Sequence, residues 1–217
     1  MDKRFIGVLV CAIAIFYSNL GGNSVYILDE AKNAGCAMEM AQRNDLVVPT
    51  FNAELRTDKP VLHYYFMMIA YKVFGITPFA ARFFSALCGV LLIVVVYRGV
   101  SRIIDLNTAF FSCLILLASV QLAIQFHLAV PDPYLILFTT ASLFAFYYGF
   151  YFNSKYLLAC YAFVAMGFLT KGLVAVALPG AIVLTYLILT RELEHGPHAL
   201  ERIGVEHFAG QEFLKAF

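Results

Sequence analysis

Apolar runs without a charged side chain alternate along this sequence with short polar segments. Four of these runs contain no Asp, Glu, Lys or Arg and cover residues 5–28, 106–131, 133–154 and 172–190. At about 1.5 Å of rise per residue, a helix of about 18 apolar residues matches the ~30 Å hydrocarbon core of a bilayer. The pattern therefore predicts helices that cross a membrane.

Two shorter apolar runs, 83–97 and 156–170, have a long basic side chain at each end. Lys and Arg can lay their stems along lipid while the charged group reaches the interface, so these runs also qualify as spans. We therefore predict an all-α fold, a polytopic membrane helix bundle of about six transmembrane helices. The predicted spans are residues 5–26, 79–99, 106–126, 133–152, 156–171 and 172–190.

The composition supports this class. Hydrophobic residues make up 62% of the 217 and charged residues 13%, which is about half the charged share of a soluble domain. A net charge of +1 indicates no nucleic-acid partner. The five cysteines are scattered without a CxxC pair, so neither a disulfide framework nor a thiolate metal site is expected. The first apolar run is too long for the core of a signal peptide, which predicts an uncleaved first helix.

Residues 27–78 form the longest segment predicted to lie outside the spans. Residues 30–43 are good helix formers with Ala34 and Met38 on one face, which predicts an amphipathic helix on the membrane surface. Residues 61–75 are apolar but too short to span, and they predict a second interfacial helix. The positions of basic residues in the short connections favour a cytoplasmic N-terminus, which places this loop on the outer face.

Four polar clusters are predicted to meet at that face, because the odd-numbered spans end there and the even-numbered spans begin there. The clusters are Asp29-Glu30, Asp58-Lys59-Pro60, His127 with Pro131-Asp132-Pro133, and Thr170-Lys171-Gly172. Each also has a purely structural interpretation. Asp29 is well placed as a helix N-cap, and Asp132 is an ordinary turn residue. Lys171 could anchor the interface, and His127 could be a satisfied interface histidine.

Together, these clusters favour chemistry over structure. Ionisable groups at membrane boundaries are costly unless paired or solvated, so they point to a functional site. Two carboxylates with two lysines predict a base beside a cationic site for an anionic group such as phosphate.

Several stretches occur in an order that identifies a family. They are Leu28-Asp29-Glu30-Ala31, Asp45-Leu46-Val47-Val48-Pro49, Asn52, Asp58-Lys59-Pro60 and Tyr64-Tyr65. This order resembles the first outer loop of the GT-C polyprenyl-phosphate-dependent glycosyltransferases, in the branch of the lipid A aminoarabinose transferases and protein O-mannosyltransferases. Further matching stretches are Phe74-Gly75 with Ala80-Ala81-Arg82, Pro131-Asp132-Pro133 and Leu169-Thr170-Lys171-Gly172. The resemblance covers residues 5–190.

The resemblance implies a hexosyl- or pentosyltransferase. It would move a sugar from a polyprenyl-phosphate carrier to a lipid or protein acceptor at the outer membrane face. The implied catalytic residues are Asp29, as the base, with Glu30 and Asp132. The implied phosphate-binding residues are Lys59 and Lys171, with Asp58, His127 and Tyr64 in support. A divalent metal near the carboxylates stays open, because no convincing ligand set is visible.

The chain departs from the family in two mild ways and one larger way. Asp58 stands where the aminoarabinose branch tends to have Glu, and Val61 replaces a second proline. Relatives continue with further spans, so a truncated chain is expected. It would comprise a GT-C-type transmembrane domain over 1–190, with 27–78 as its outer catalytic loop, and a polar tail over 191–217.

The expected location is the plasma (inner) membrane, with membrane lipids around the spans and the active face outside. Two other classes of protein stay open. One is a non-catalytic binding or assembly subunit on the same scaffold. The other is a small transporter, which would carry charges within its spans and inverted repeats.

Overall fold

The structure is a computed structural model that describes residues 2–25 and 28–190. Over these residues the chain forms nine α-helices and one small β-hairpin. The helices are α1 (Lys3–Tyr17), α2 (Leu28–Arg43), α3 (Leu62–Phe74), α4 (Pro78–Ile103), α5 (Leu106–Leu117), α6 (Val120–Phe126), α7 (Asp132–Tyr151), α8 (Lys155–Lys171) and α9 (Val174–Leu189). The predicted helical class is therefore confirmed. The predicted tail, 191–217, lies outside the described residues.

The hairpin lies between α2 and α3 and was not predicted as a sheet. It joins β1 (Thr50–Phe51) to β2 (Glu54–Leu55) in antiparallel register. Strands this short give no alternating pattern that could be read in a sequence.

The first predicted span extends too far. The helix α1 ends at Tyr17 rather than near residue 26, and Asn19 then adopts a left-handed backbone conformation with φ of 51°. Gly21 follows where the chain passes the start of α4, and a Cβ there would lie 3.2 Å from the Cβ of Phe79. The close approach of α4 therefore requires the chain to leave the helix early.

Two helices, α4 and α7, are long and apolar enough to cross a bilayer. A third span is formed if α5 and α6 are counted together, although their axes bend by 69° at a break between them. The helix α9 is apolar but shorter than a span. The structure thus supports a multi-pass membrane protein, and the count of about six spans stays a prediction.

The helix α4 lies at the centre of the bundle and packs against α1, α3, α5, α6 and α7. Gly89 allows one of the close contacts, since a Cβ there would lie 2.8 Å from the Phe16 ring and 2.9 Å from the Phe126 ring. Those rings meet edge to face with centroids 5.0 Å apart. Small residues at helix contacts are the usual means of close packing in membranes.

The helices α2 and α3 and the hairpin form a layer, and α3 packs this layer against α4 and α8. The buried side of α2 differs from the predicted one, because Glu30, Ala34 and Ala37 are buried while Met38 is only half-buried. Because Glu30 points inward, the face of α2 that is buried is not the apolar face that the sequence predicted. Where this layer lies relative to a bilayer stays a prediction.

Candidate functional site

Asp29 and Lys59 form an ion pair at the start of α2. The Nζ of Lys59 donates to both carboxylate oxygens at 2.7 Å. The Asp29 side chain is 48% exposed and that of Lys59 is 20% exposed. Because α2 begins at Leu28, Asp29 lies inside its first turn, and the N-cap interpretation is wrong. The pair presents an accessible carboxylate beside a partly shielded ammonium group.

Arg56 joins this pair to Asp58. Its Nε donates to Oδ1 of Asp58 at 2.8 Å and its Nη2 donates to Oδ2 at 3.2 Å. The same Nη2 lies 3.7 Å from Oδ1 of Asp29. The hydrogen bond from Arg56 lowers the pKa of the Asp58 carboxyl. Sequence reasoning missed Arg56, whose one signal in the sequence is that residues 27–78 contain five basic side chains.

Glu30, the neighbour of Asp29, has a different environment. It is 1% exposed, and both of its oxygens accept hydrogen bonds from Arg82, at 2.7 Å from Nε and 2.9 Å from Nη2. Arg82 also donates from Nη1 to the carbonyls of Leu20 and Asn23, at 3.0 and 2.8 Å. Arg82 borders the apolar run 83–97, and its side chain is buried and engaged in these contacts rather than laid along lipid.

Asp132 and Lys171 form a second ion pair. Asp132 lies at the start of α7 and Lys171 at the end of α8, and their side chains are joined by a hydrogen bond. Both side chains are about one-third exposed, at 34% and 32%. The backbone N–H of Ala129 donates to Oε1 of Glu30 at 2.9 Å. This bond ties the segment before Asp132 to the start of α2, the helix that carries Asp29.

The three predicted support residues lie in different places. Asp58 pairs with Arg56, as described above. His127 directly follows α6, and its two ring nitrogens face the Ala123 carbonyl at 2.6 Å and the Ser18 carbonyl at 3.1 Å, contacts within the protein that favour the structural interpretation. Tyr64 is fully buried, and its hydroxyl forms no hydrogen bond of normal geometry within the described residues. Their proposed roles stay predictions.

Two further buried polar side chains lie behind the first ion pair. His63, in α3, comes four residues after Lys59, and Asn33 follows Asp29 by one turn of α2; each is fully buried. Neither forms a hydrogen bond of normal geometry within the described residues. Burial lowers the pKa of His63 to about 3, with a further contribution from the Lys59 charge. The imidazole is therefore neutral at physiological pH. Sequence reasoning missed both, because they occupy ordinary positions on apolar helix faces.

The arrangement can accept a proton and bind an anion. Asp29 and Asp132 are carboxylates with open faces, and each has a lysine ammonium at hydrogen-bond distance. Across residues 2–25 and 28–190, no three His, Cys, Asp or Glu side chains converge into a group that could hold a metal ion. The site that the structure brings together is therefore one of paired carboxylates and cations.

Comparison with known proteins identifies relatives of this arrangement. The sequence profile of the family described as dolichyl-phosphate-mannose-protein mannosyltransferase matches residues 58–201, more than half of the chain. Among solved structures, ArnT from Cupriavidus metallidurans bound to undecaprenyl phosphate superposes with a TM-score of 0.82 and 27% sequence identity. That match covers 88% of this chain and 37% of ArnT.

Two curated relatives carry the name undecaprenyl phosphate-alpha-4-amino-4-deoxy-L-arabinose arabinosyl transferase. The one from Pseudomonas savastanoi pv. phaseolicola is 29% identical over 202 residues, which is 89% of this chain and 38% of that protein. The one from Yersinia enterocolitica is 33% identical over 182 residues, covering 79% of this chain and 33% of that protein. The chain therefore spans less than half the length of these relatives.

Proposed function

Because this chain belongs to the dolichyl-phosphate-mannose-protein mannosyltransferase family, we propose that it moves a sugar from a polyprenyl-phosphate carrier to a lipid or protein acceptor. Its match in fold to ArnT, whose solved structure holds undecaprenyl phosphate, supports a carrier of this class. The observation that carries the proposal is the pair of Asp29 and Lys59, in which an exposed carboxylate lies 2.7 Å from a lysine ammonium.

The chemistry follows from the two partners of that pair. The Asp29 carboxylate takes the proton of the acceptor hydroxyl, and the hydroxyl oxygen of the acceptor bonds to the anomeric carbon of the sugar. The bond from that carbon to the phosphate oxygen breaks, and polyprenyl phosphate leaves. Lys59 stabilises the negative charge that develops on the leaving phosphate. Attack opposite the leaving group inverts the anomeric configuration.

The second ion pair and Glu30 have separate parts in this proposal. Asp132 and Lys171 repeat the pairing of carboxylate with ammonium, so Lys171 adds a second cation for the phosphate. Glu30 is 1% exposed and held by Arg82 and by the Ala129 amide. These contacts favour a positioning role for Glu30, which fixes the turn of α2 that carries Asp29.

The proposed location is the inner membrane, with the N-terminus in the cytoplasm and the site on the outer face. The short basic connections support this orientation. Cysteine labelling with a membrane-impermeant reagent in intact cells tests it. Cys11, an exposed thiol on α1, is first replaced by Ser to remove background labelling. In that background, Thr57→Cys should be labelled from outside.

The decisive experiment is transfer of radiolabelled sugar from a polyprenyl-phosphate donor in proteoliposomes that contain the purified chain, with a membrane extract as the source of acceptors. Asp29→Asn keeps the shape of the side chain but removes the base, so transfer should fall by at least about 100-fold. Carrier binding is measured in parallel, because Asn at this position leaves Lys59 in place. Undiminished transfer by Asp29→Asn would remove Asp29 from the role of base.

A binding or assembly subunit would give a different result. It would bind undecaprenyl phosphate in a manner that depends on Lys59 and would transfer no sugar with any donor. Binding without transfer would therefore assign the chain to that class.

A further inference from the structure

A cavity of about 400 Å³ opens between α2, the β-hairpin and the segment that precedes Lys59. Its walls include Lys32, Phe51, Glu54 and Arg56. Ligand-binding pockets in proteins have volumes of about 300–1,000 Å³. The cavity therefore has room for a small ligand, and the roles proposed above for the two ion pairs leave it unassigned.

The lining has the chemistry of a site for a sugar ring. Lys32 and Arg56 supply N–H donors, while Glu54 and Asp58 supply carboxylate acceptors. The two positive and two negative groups balance, so the cavity does not select a charged ligand by its net charge. Phe51 adds an apolar ring. A monosaccharide presents hydroxyl groups around its edge and C–H groups on its face, which are the complements of these two kinds of wall.

The hairpin that forms one wall is held in place before any ligand arrives. Its turn residues, Asn52 and Ala53, both have positive φ angles, 55° and 63°, which is the geometry of a type I′ turn. The Glu39 carboxylate accepts hydrogen bonds from their backbone N–H groups at 2.7 and 3.4 Å. Phe51 packs over Gly35, where a Cβ would lie 2.9 Å from its ring. A wall fixed in this way loses little freedom on binding.

The cavity lies beside the proposed reaction centre. Arg56 lines it and places Nη2 3.7 Å from the Asp29 carboxylate, whose other partner is Lys59. A sugar in the cavity would therefore lie next to both the proposed base and the proposed phosphate cation. In a polyprenyl-phosphate sugar the ring is bonded directly to the phosphate. We propose that this cavity is the subsite for the sugar ring of the donor, an inference that rests on the proposed function.

The test compares the affinity of the chain for two forms of the carrier. The probes are undecaprenyl phosphate alone and undecaprenyl phosphate loaded with mannose or with 4-amino-4-deoxy-L-arabinose, the sugars in the names of its relatives. Phe51→Leu keeps an apolar group over Gly35 but removes the aromatic face. Glu54→Gln removes one charged acceptor from an exposed side chain. Val73→Ala, at an exposed position on α3 outside the cavity, is the control.

For at least one loaded carrier, both cavity variants should bind about two- to tenfold more weakly than the wild-type chain, the range that one aromatic contact or one hydrogen bond contributes. Their affinity for unloaded undecaprenyl phosphate should be unchanged, which also shows that the variants are folded. Equal affinity of the wild-type and variant chains for every loaded carrier would overturn the inference. An equal loss of affinity for loaded and unloaded carrier would also overturn it. So would an effect seen only in the KM for the acceptor in the transfer assay.

The two proposals fail in different ways. A wild-type chain that does not bind unloaded undecaprenyl phosphate through Lys59 would contradict the proposed function, and the subsite with it. Binding that depends on Lys59, without any response to Phe51→Leu or Glu54→Gln, would contradict the sugar subsite alone.

Discussion

Asp29 and Glu30 are adjacent carboxylates on one helical turn, and they have opposite environments. Asp29 is 48% exposed and is paired with Lys59, with Arg56 as a more distant second cation at 3.7 Å. Glu30 is 1% exposed and accepts hydrogen bonds from Arg82 on both oxygens and from the Ala129 amide. Exposure leaves the first carboxylate able to meet a substrate. Burial with fixed partners makes the second a structural support.

The difference shows how a membrane protein can set an accessible charge in a defined place. A surface ion pair adds little stability because solvent screens it and the long side chains lose freedom. A buried pair whose hydrogen bonds are satisfied constrains the backbone on both sides, and it is costly to break from either end. Asp29 therefore gains its position from the partners of its neighbour.

The largest expected effect comes from breaking the buried pair. Glu30→Ala leaves the Arg82 guanidinium buried without its carboxylate, which should lower the free energy of unfolding by about 3–5 kcal/mol. Thermal unfolding in detergent, followed by circular dichroism, measures the change. Asp29→Ala is the matched control one residue away, and its loss should stay below about 1 kcal/mol. Equal losses in the two variants would contradict the division between a structural and an accessible carboxylate.

The next effect concerns the exposed pair and the carrier. Lys59→Met should weaken binding of undecaprenyl phosphate by about 10- to 100-fold, the contribution of a hydrogen bond to a charged group. Lys59→Arg keeps the charge and should retain most of the affinity. Binding is measured by titration of the purified protein in nanodiscs. If Lys59→Met bound the carrier as well as the wild-type chain, the lysine would be only a partner of Asp29.

Much of the helical framework could be predicted from the sequence. The apolar runs placed α4, α7 and α8 within a few residues of their observed ends, because long uncharged segments have few alternatives in a membrane. The bend between α5 and α6 was missed, since both halves are equally apolar. The early end of α1 was missed for a similar reason, because the contact with α4 decides it.

The candidate site was predictable only in part. The order of the spans predicted that Asp29 and Lys59 lie at the same face, but their roles were suggested only by the resemblance to a family. Arg82 was misinterpreted because an arginine at the end of an apolar run has the same pattern whether it reaches the interface or pairs with a carboxylate 52 residues away. The partners of Arg56 and Arg82 are fixed by tertiary contacts, which composition and periodicity do not record.

A smaller effect should appear as a dependence of stability on pH. Burial lowers the pKa of His63 from 6.5 to about 3, so the unfolded chain binds a proton between these values while the folded chain does not. Stability should therefore fall as the pH decreases below 6.5, by up to about 1.4 kcal/mol per pH unit. His63→Phe removes this contribution, and unfolding curves between pH 7 and pH 5, on either side of the ordinary value of 6.5, measure it. Parallel pH profiles for the two proteins would contradict the neutral buried imidazole.

The smallest effect is expected at the second ion pair. Both side chains are about one-third exposed, so Lys171→Gln should lower the free energy of unfolding by less than about 1 kcal/mol. The same thermal unfolding assay applies. If Lys171→Gln lowered the free energy of unfolding as much as Glu30→Ala, the second ion pair would support the fold as the buried pair does.

Arg82 has a mechanical consequence. Its planar guanidinium binds the Glu30 carboxylate and the carbonyls of Leu20, Asn23 and Ser24 at the same time. One planar group with contacts on several sides cross-links three segments: α4, the chain that follows α1, and the first turn of α2. The partners of Asp29 come instead from the segment between the hairpin and α3, which Arg82 does not hold.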